Sequence, residues 1–351
     1  MEIDTLLRDY RNDVEELRLF RTPTRKRLRK TYRARFNPLQ DLSDEEFRVK
    51  YRFSKTNMCR IIDIVKNDLQ VDTRGGSIPV ELQVMAVITY WGHHEIQEDC
   101  ADMHGMSQQT LSRLASKVAM AFTSKSSRYI KMPSSMTEEA NTMNKFEAVC
   151  GLRGIDGVID CTRIKLKKIG GDVGQDYIDK TGFYSINTQL VCDADQKICD
   201  IVCRKGSTHD SAVYRESSIK RRFEENEFTG VLIGDGGYPC TPHLITPIPR
   251  PSTEEERQFN YQHIETLKVV ENCFNIWKQR FRILLEVMRG SYATIKNTII
   301  ACAVLHNLAI IFNEEHDMAH QLEAESVSDD EISDDEISSI NRHIFIKNNI
   351  L

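Results

Sequence analysis

From about residue 43 to 70 apolar residues recur every three or four positions, behind a Ser43 followed by acids that suits a helix N-terminus, so a helix is expected there. A second helix is expected from Pro79 through Trp91. Between 95 and 122, Ile96, Cys100, Ala101 and Met103 predict a short amphipathic helix. Gly105 is able to end it in the left-handed conformation, and Ser107 caps a new helix to Phe122. This spacing predicts a helix-turn-helix. In such a pair Gln108, Gln109, Ser112 and Arg113 would reach base edges or phosphates. An ordinary helical hairpin uses the same turn, so this segment alone leaves both readings open.

At about residue 150 the pattern changes. GVID, RIKLKKI, YSINTQLVCD, KICDIVC and GVLIGD are short, β-rich runs separated by turn signals, with a helical stretch (DSAVYRESSIKRRFEE) before the last. Long helices follow from about 262. Hairpin-paired strands, a helix, a further strand and more helices predict a mixed α/β domain rather than a repeat or a barrel. The expected organisation is a basic arm (1–40), a helical, helix-turn-helix-like domain (41–148), the α/β domain (149–313) and an acidic disordered tail (314–351).

Charge sharpens this picture. The chain of 351 residues has a net charge of −5, yet residues 1–60 sum to +6 and residues 314–339 to −11. Without the acidic segment the protein is mildly basic, which suits a nucleic-acid partner. The run 21–36 has the composition of a nuclear-import signal or a phosphate-contacting arm, and equally that of a solvated basic face. SDDEI occurs twice, and its serines, Ser328 and Ser333, each followed by acids, read as sites for acidophilic kinases. The run 298–312 contains His306 and Asn307 and is short for a bilayer, and the first twenty residues lack a signal peptide's apolar stretch. A non-membrane, intracellular chain is expected. Ten scattered cysteines without a CxxC pair fit a reducing compartment. Cys199, Cys203 and His209 do not read as a zinc site, because residues four apart on a strand stand about 13 Å from each other.

Three carboxylates carry the candidate chemistry. Asp160 closes GVID, Asp235 closes GVLIGD, and Glu271 lies beside the apolar stripe of a helix. Each has a plain alternative: a turn-forming Asp, or a Glu that pairs with a base. If the strand ends lie together and the helix crosses them, the acids converge. Two charges at about 4 Å and an effective dielectric of about 20 repel by about 4 kcal/mol, so a cation is expected among them. Oxygen-only donors favour Mg²⁺ or Mn²⁺. Asp210 is a fourth candidate, or simply the N-cap of the helix that follows. Arg280 and Arg282, beyond Glu271 on the same helix, are candidates to neutralise phosphates, or plain surface charge.

GVID, NTQLVCD, GSTHD, LIGDGGY, LITPI, the run 259–284 and ACAVLHNLAI, in this order, resemble the PIF/Harbinger transposases and the domesticated nuclease derived from them, over roughly 85–315. The resemblance implies an RNase H-like mixed sheet with flanking helices and a DDE triad at Asp160, Asp235 and Glu271. It maps a further metal ligand onto Asp210. It also implies a divalent-metal-dependent DNA endonuclease found in the nucleus and also the cytoplasm, served by a Myb/SANT-like partner. Many members have Gly-Thr-His after the first Asp, where this chain has Cys161, Thr162 and Arg163. The rival expectation is a catalytically quiet domesticated protein that binds DNA or a chromatin partner.

Overall fold

The structure, a computed structural model, describes residues 37–70, 78–93, 97–170 and 172–314, with Arg342, Phe345 and Ile346. The basic run 21–36, Ser328, Ser333 and the acidic stretch after Glu314 lie outside the described residues.

The helix expected over 43–70 is two helices. α1 (Asp44–Tyr51) is opened by a reciprocal capping box between Ser43 and Glu46. It ends at Arg52, whose φ of 62° is left-handed, and Ser54 then caps α2 (Lys55–Val65). α3 (Val80–Gly92) is buried almost all round, as the apolar composition of VELQVMAVITYW requires. After α4 (Gln97–Met103) the chain turns through Gly105 (φ 63°), and Ser107 caps α5 (Gln108–Thr123) through the Thr110 amide. α6 (Met136–Cys150) leads into the sheet.

β1 (Ile155–Lys165) is one strand of 11 residues, where the sequence suggests two runs broken after Asp160. The polar Asp160, Cys161, Thr162 and Arg163 stay in the sheet because each pairs with β2 (Ser185–Cys192), running antiparallel. β3 (Ile198–Lys205) follows as the next antiparallel strand. After α7 (Asp210–Arg215) and α8 (Ser218–Glu224), β4 (Val231–Gly234) runs parallel to β1, and β5 (Leu244–Ile245) lies parallel to β4. The order across the sheet is β3-β2-β1-β4-β5. β2 is buried along its whole length. α9 (Glu254–Arg280) and α10 (Tyr292–Ile311) follow β5.

One apolar core runs from Phe47 and Trp91 through Val158 and Ile164 to Trp277 and Leu305, joining the helical segment to one face of the sheet. A second cluster, with Ile159, Tyr214, Phe223 and Tyr238, covers the other face beneath α7 and α8. α10 is long and apolar enough to cross a bilayer by length and composition, yet 67% of that stretch is buried inside the protein. Its Asn307 is wholly buried. The amide donates to the Ile198 and Tyr129 carbonyls (2.7 Å each) and its oxygen accepts from the Ile198 N–H (2.8 Å), pinning α10 to the start of β3. Beyond Glu314, Arg342 donates to the carbonyl (3.1 Å) and hydroxyl (2.9 Å) of Thr246, and Phe345 packs edge-on against Phe259. This order is not expected from the composition of the tail. All ten cysteines are free.

Asp156, near the start of β1, is wholly buried. Burial first, and the neighbouring Glu139 second, push its carboxyl up to about 7, while the Gly230 N–H (2.9 Å) partly offsets them. The folded protein therefore holds a proton that the unfolded chain releases near pH 4. That stability is full below the unfolded pKa and is lost as pH rises through about 7. Asp156→Asn keeps the acceptor for Gly230 and adds a donor toward Glu139. At pH 8 it is expected to stabilise the fold by on the order of 3 kcal/mol. Urea unfolding at pH 5 and 8 checks this, and a gain of the same size at both pH values would count against it.

Candidate active site

Ile159 on β1 lies opposite Gly234 on β4, and because these strands are parallel the next residues, Asp160 and Asp235, emerge side by side. Asp160 sits in mid-strand, paired with Leu190, and not at a strand end as the sequence suggests. Its Oδ1 accepts from the Cys161 N–H at 2.6 Å. Asp235 begins the turn after β4. Its Oδ1 accepts from the Gly237 N–H at 3.1 Å, and a Cβ at Gly237 would stand only 3.3 Å from that oxygen.

α9 packs over β1 on the face of Asp160. Thr162, two residues along the strand and therefore on the same face, accepts from the Lys278 Nζ at 2.5 Å. Glu271 is seven residues before Lys278, two turns back on the same side of the helix. It is exposed, and its charge acts on Asp160. The Asp160 carboxyl is held well above the usual carboxylate range, by burial first, then by Asp235, with Asp210 and Glu271 adding smaller contributions. Like charges thus gather around one half-buried acid, the arrangement that favours a bound cation. As the side chains stand, no three His, Cys, Asp or Glu among the described residues close on a common point able to hold a metal ion.

Asp210 belongs to the other face. Cys161 and Arg163 alternate with Asp160 and Thr162, so they point away from α9 and toward α7. There Asp210 Oδ1 accepts from Asn187 Nδ2 (2.6 Å) and pairs with Arg163 (3.2 Å). The Cys161 thiol lies 3.2 Å from the Tyr238 hydroxyl in the same cluster, and burial holds it well above its ordinary range. The helix N-cap is His209 rather than Asp210, its Nδ1 accepting from the Ser211 N–H at 3.3 Å.

Arg280 is not a free phosphate clamp. It is buried, donates to the Arg52 carbonyl at 2.9 Å and lies 5.5 Å over the Phe53 ring, where it ties α9 to the helical segment. Arg282 follows the end of α9 in a single 3₁₀ turn. Sequence reasoning names Arg163 only as a departure from the family pattern and does not single out Lys278 or Tyr238; of these two, only the seven-residue offset of Lys278 from Glu271 carries a readable signal. On α5, Gln108, Gln109 and Ser112 are exposed and Arg113 is half-buried. Cys199 and Cys203 lie along β3, the strand expected of the run KICDIVC.

Residues 159–307 match the family described as DDE superfamily endonuclease. The chain is 29% identical over 287 residues to the Homo sapiens protein named "Putative nuclease HARBI1", spanning 80% of each chain. To the Xenopus laevis protein of that name it is 28% identical over 290 residues, spanning 80% of this chain and 81% of the relative. "Protein ALP1-like" of Arabidopsis thaliana is 24% identical over 318 residues, 81% of this chain and 78% of that one. No solved structure matches the chain.

Proposed function

We propose that the chain is a transposase-derived, divalent-metal-dependent nuclease that hydrolyses phosphodiester bonds of DNA in the nucleus, a reading supported by the match of residues 159–307 to the DDE superfamily endonuclease family. One observation carries the reading: Asp160 on β1 and Asp235 just past the end of β4 each follow the paired residues Ile159 and Gly234 of two parallel strands, with Glu271 acting on Asp160 from the helix above. The strand order β3-β2-β1-β4-β5, with β2 antiparallel to both its neighbours and the other strands parallel to β1, supports an RNase H-like sheet.

Asp160, Asp235 and Glu271 are the residues that would hold the cation. Their oxygen-only chemistry and the charge crowded onto Asp160 fit Mg²⁺ or Mn²⁺. When bound, that ion supplies Lewis acidity for phosphodiester hydrolysis. The protein's own residues do the positioning. Asp235 is oriented by the Gly237 amide, and Lys278 holds Thr162 while bringing a positive charge to the same face. Asp210, expected from sequence as a further ligand, already accepts from Asn187 and Arg163, and its role in this reading is to orient Arg163. The exposed Gln108, Gln109 and Ser112 of the helix-turn-helix are read as the DNA-contacting group. A Myb/SANT-like protein remains the proposed partner for nuclear entry, alongside the basic run 21–36.

Titration of the purified chain with Mn²⁺ by calorimetry, followed by nicking of supercoiled plasmid, tests the reading. Stoichiometric Mn²⁺ binding and conversion to open circles are expected. Absence of nicking despite Mn²⁺ binding would reassign the site to a structural role.

A further inference from the structure

Beyond Lys165, β1 does not simply leave the sheet. The Lys167 N–H donates to the Met288 carbonyl (2.9 Å), the Met288 N–H donates to the Lys165 carbonyl (3.0 Å), and Leu166 bridges Met288. The two segments clasp each other just before Ser291 caps α10. Beneath the clasp is a cavity of about 270 Å³ floored by Leu166, Tyr177, Tyr292 and Ile295. The two tyrosine rings meet edge to face at 5.9 Å.

Three cations stand at its mouth. Lys167, Lys168 and Arg289 line the cavity, are exposed, and make no ion pair among the described residues. Lys205, over the Tyr177 ring, is already engaged by Asp176 at 2.6 Å. The first turn of the 20-residue α10 adds its positive end to the same spot. A volume somewhat below that of a typical small-molecule pocket suits one ring system rather than a whole cofactor. Aromatic walls under a cationic rim suit a base below a phosphate. Exposure of the cations along the rim, rather than enclosure, favours a continuous strand over a free nucleotide.

Leu166, Tyr177, Met288 and Ile295 belong to the same core as Val158 and Ile164, on the face of the sheet that carries Asp160. Seven residues of extended chain separate Asp160 from Lys167, a span of about 23 Å. From these placements we infer that the cavity is a nucleotide pocket on the DNA path. It takes a phosphate and its base about seven nucleotides, at about 3.4 Å each, from the phosphodiester at Asp160. The inference rests on DNA being the substrate.

The test measures binding without metal, so it is separable from nuclease activity. Fluorescent 12-nucleotide single strands and 20-base-pair duplexes are titrated, in EDTA, onto the full chain and onto the variant Lys167→Gln/Lys168→Gln/Arg289→Gln. These exposed positions leave the core intact, which thermal melting verifies. At low salt the variant is expected to bind at least about tenfold more weakly. Its log K against log salt should be shallower by about 0.9 on the duplex and 0.7 on the single strand for each phosphate that the variant no longer neutralises. An unchanged slope overturns the inference. So does displacement of the labelled strand by micromolar dTMP, which would make the cavity a free-nucleotide site. A chain that nicks plasmid but shows no change of slope keeps its nuclease reading and loses the pocket; the reverse result does the opposite.

Discussion

Asp160→Asn, Asp235→Asn and Glu271→Gln are each expected to reduce Mn²⁺-dependent plasmid nicking by at least about a thousandfold, while affinity for DNA in EDTA stays at the wild-type level. The amides keep the shape of the acids and lose the charge that would hold a hard cation, and several kcal/mol of transition-state stabilisation corresponds to a factor of that size. A second readout separates this from simple damage. Asp160 is held well above its usual range by burial and by Asp235, so neutralising it removes a repulsion that the metal-free fold otherwise bears. The metal-free Asp160→Asn protein should therefore melt at or above the wild-type temperature and gain less from added Mn²⁺. A variant that nicks at the wild-type rate would end the triad reading. One that melts well below wild type would mean that the acid serves packing instead.

Asn307→Asp is expected to be the most damaging single change in the framework, costing more than about 4 kcal/mol in urea unfolding at pH 7. The native amide gives two N–H groups to the Ile198 and Tyr129 carbonyls and takes the Ile198 N–H, all within the core. A carboxylate would set negative charge against two carbonyl oxygens with no base among its partners, and an unpaired buried charge costs about 3–5 kcal/mol. Asn307→Ala, which orphans the same three backbone groups without adding charge, should fall between wild type and Asn307→Asp. Equal midpoints for wild type and Asn307→Asp would show that the amide does not hold α10 to β3.

Much of this is legible in the sequence, and the gaps have physical causes. Ser43, Ser54, Ser107 and Ser291 cap helices through local contacts, so their roles are written within four residues. The split at Arg52 is not legible, because a left-handed arginine is chosen by the packing of α1 against α2 and α3 rather than by its own preference. Asp160 and Asp235 stand out as acids ending apolar runs, and their adjacency follows from strand pairing. Asp160 reads as a strand end because polar residues follow it; cross-strand partners on β2 keep those residues extended, and such partners leave no local trace. For the same reason the two-sidedness of β1 is hidden: only the pairing shows that Asp160 and Thr162 meet α9 while Cys161 and Arg163 meet Asp210. β5, two residues long, is too short to have a period. Arg280 resembles surface charge, yet its partners lie more than two hundred residues earlier.

The placement of α10 also sets a timetable. α5 is covered by α10, and the two share one core through Val118, Phe122, Ile299 and Leu305. Yet about 180 residues of synthesis separate them, roughly ten to forty seconds at ordinary elongation rates. During that interval the nascent helical layer presents an uncovered apolar surface, so the newborn chain should depend on holding chaperones until its last helix emerges. A message truncated before Ser291 would then yield an aggregating product rather than a smaller folded protein.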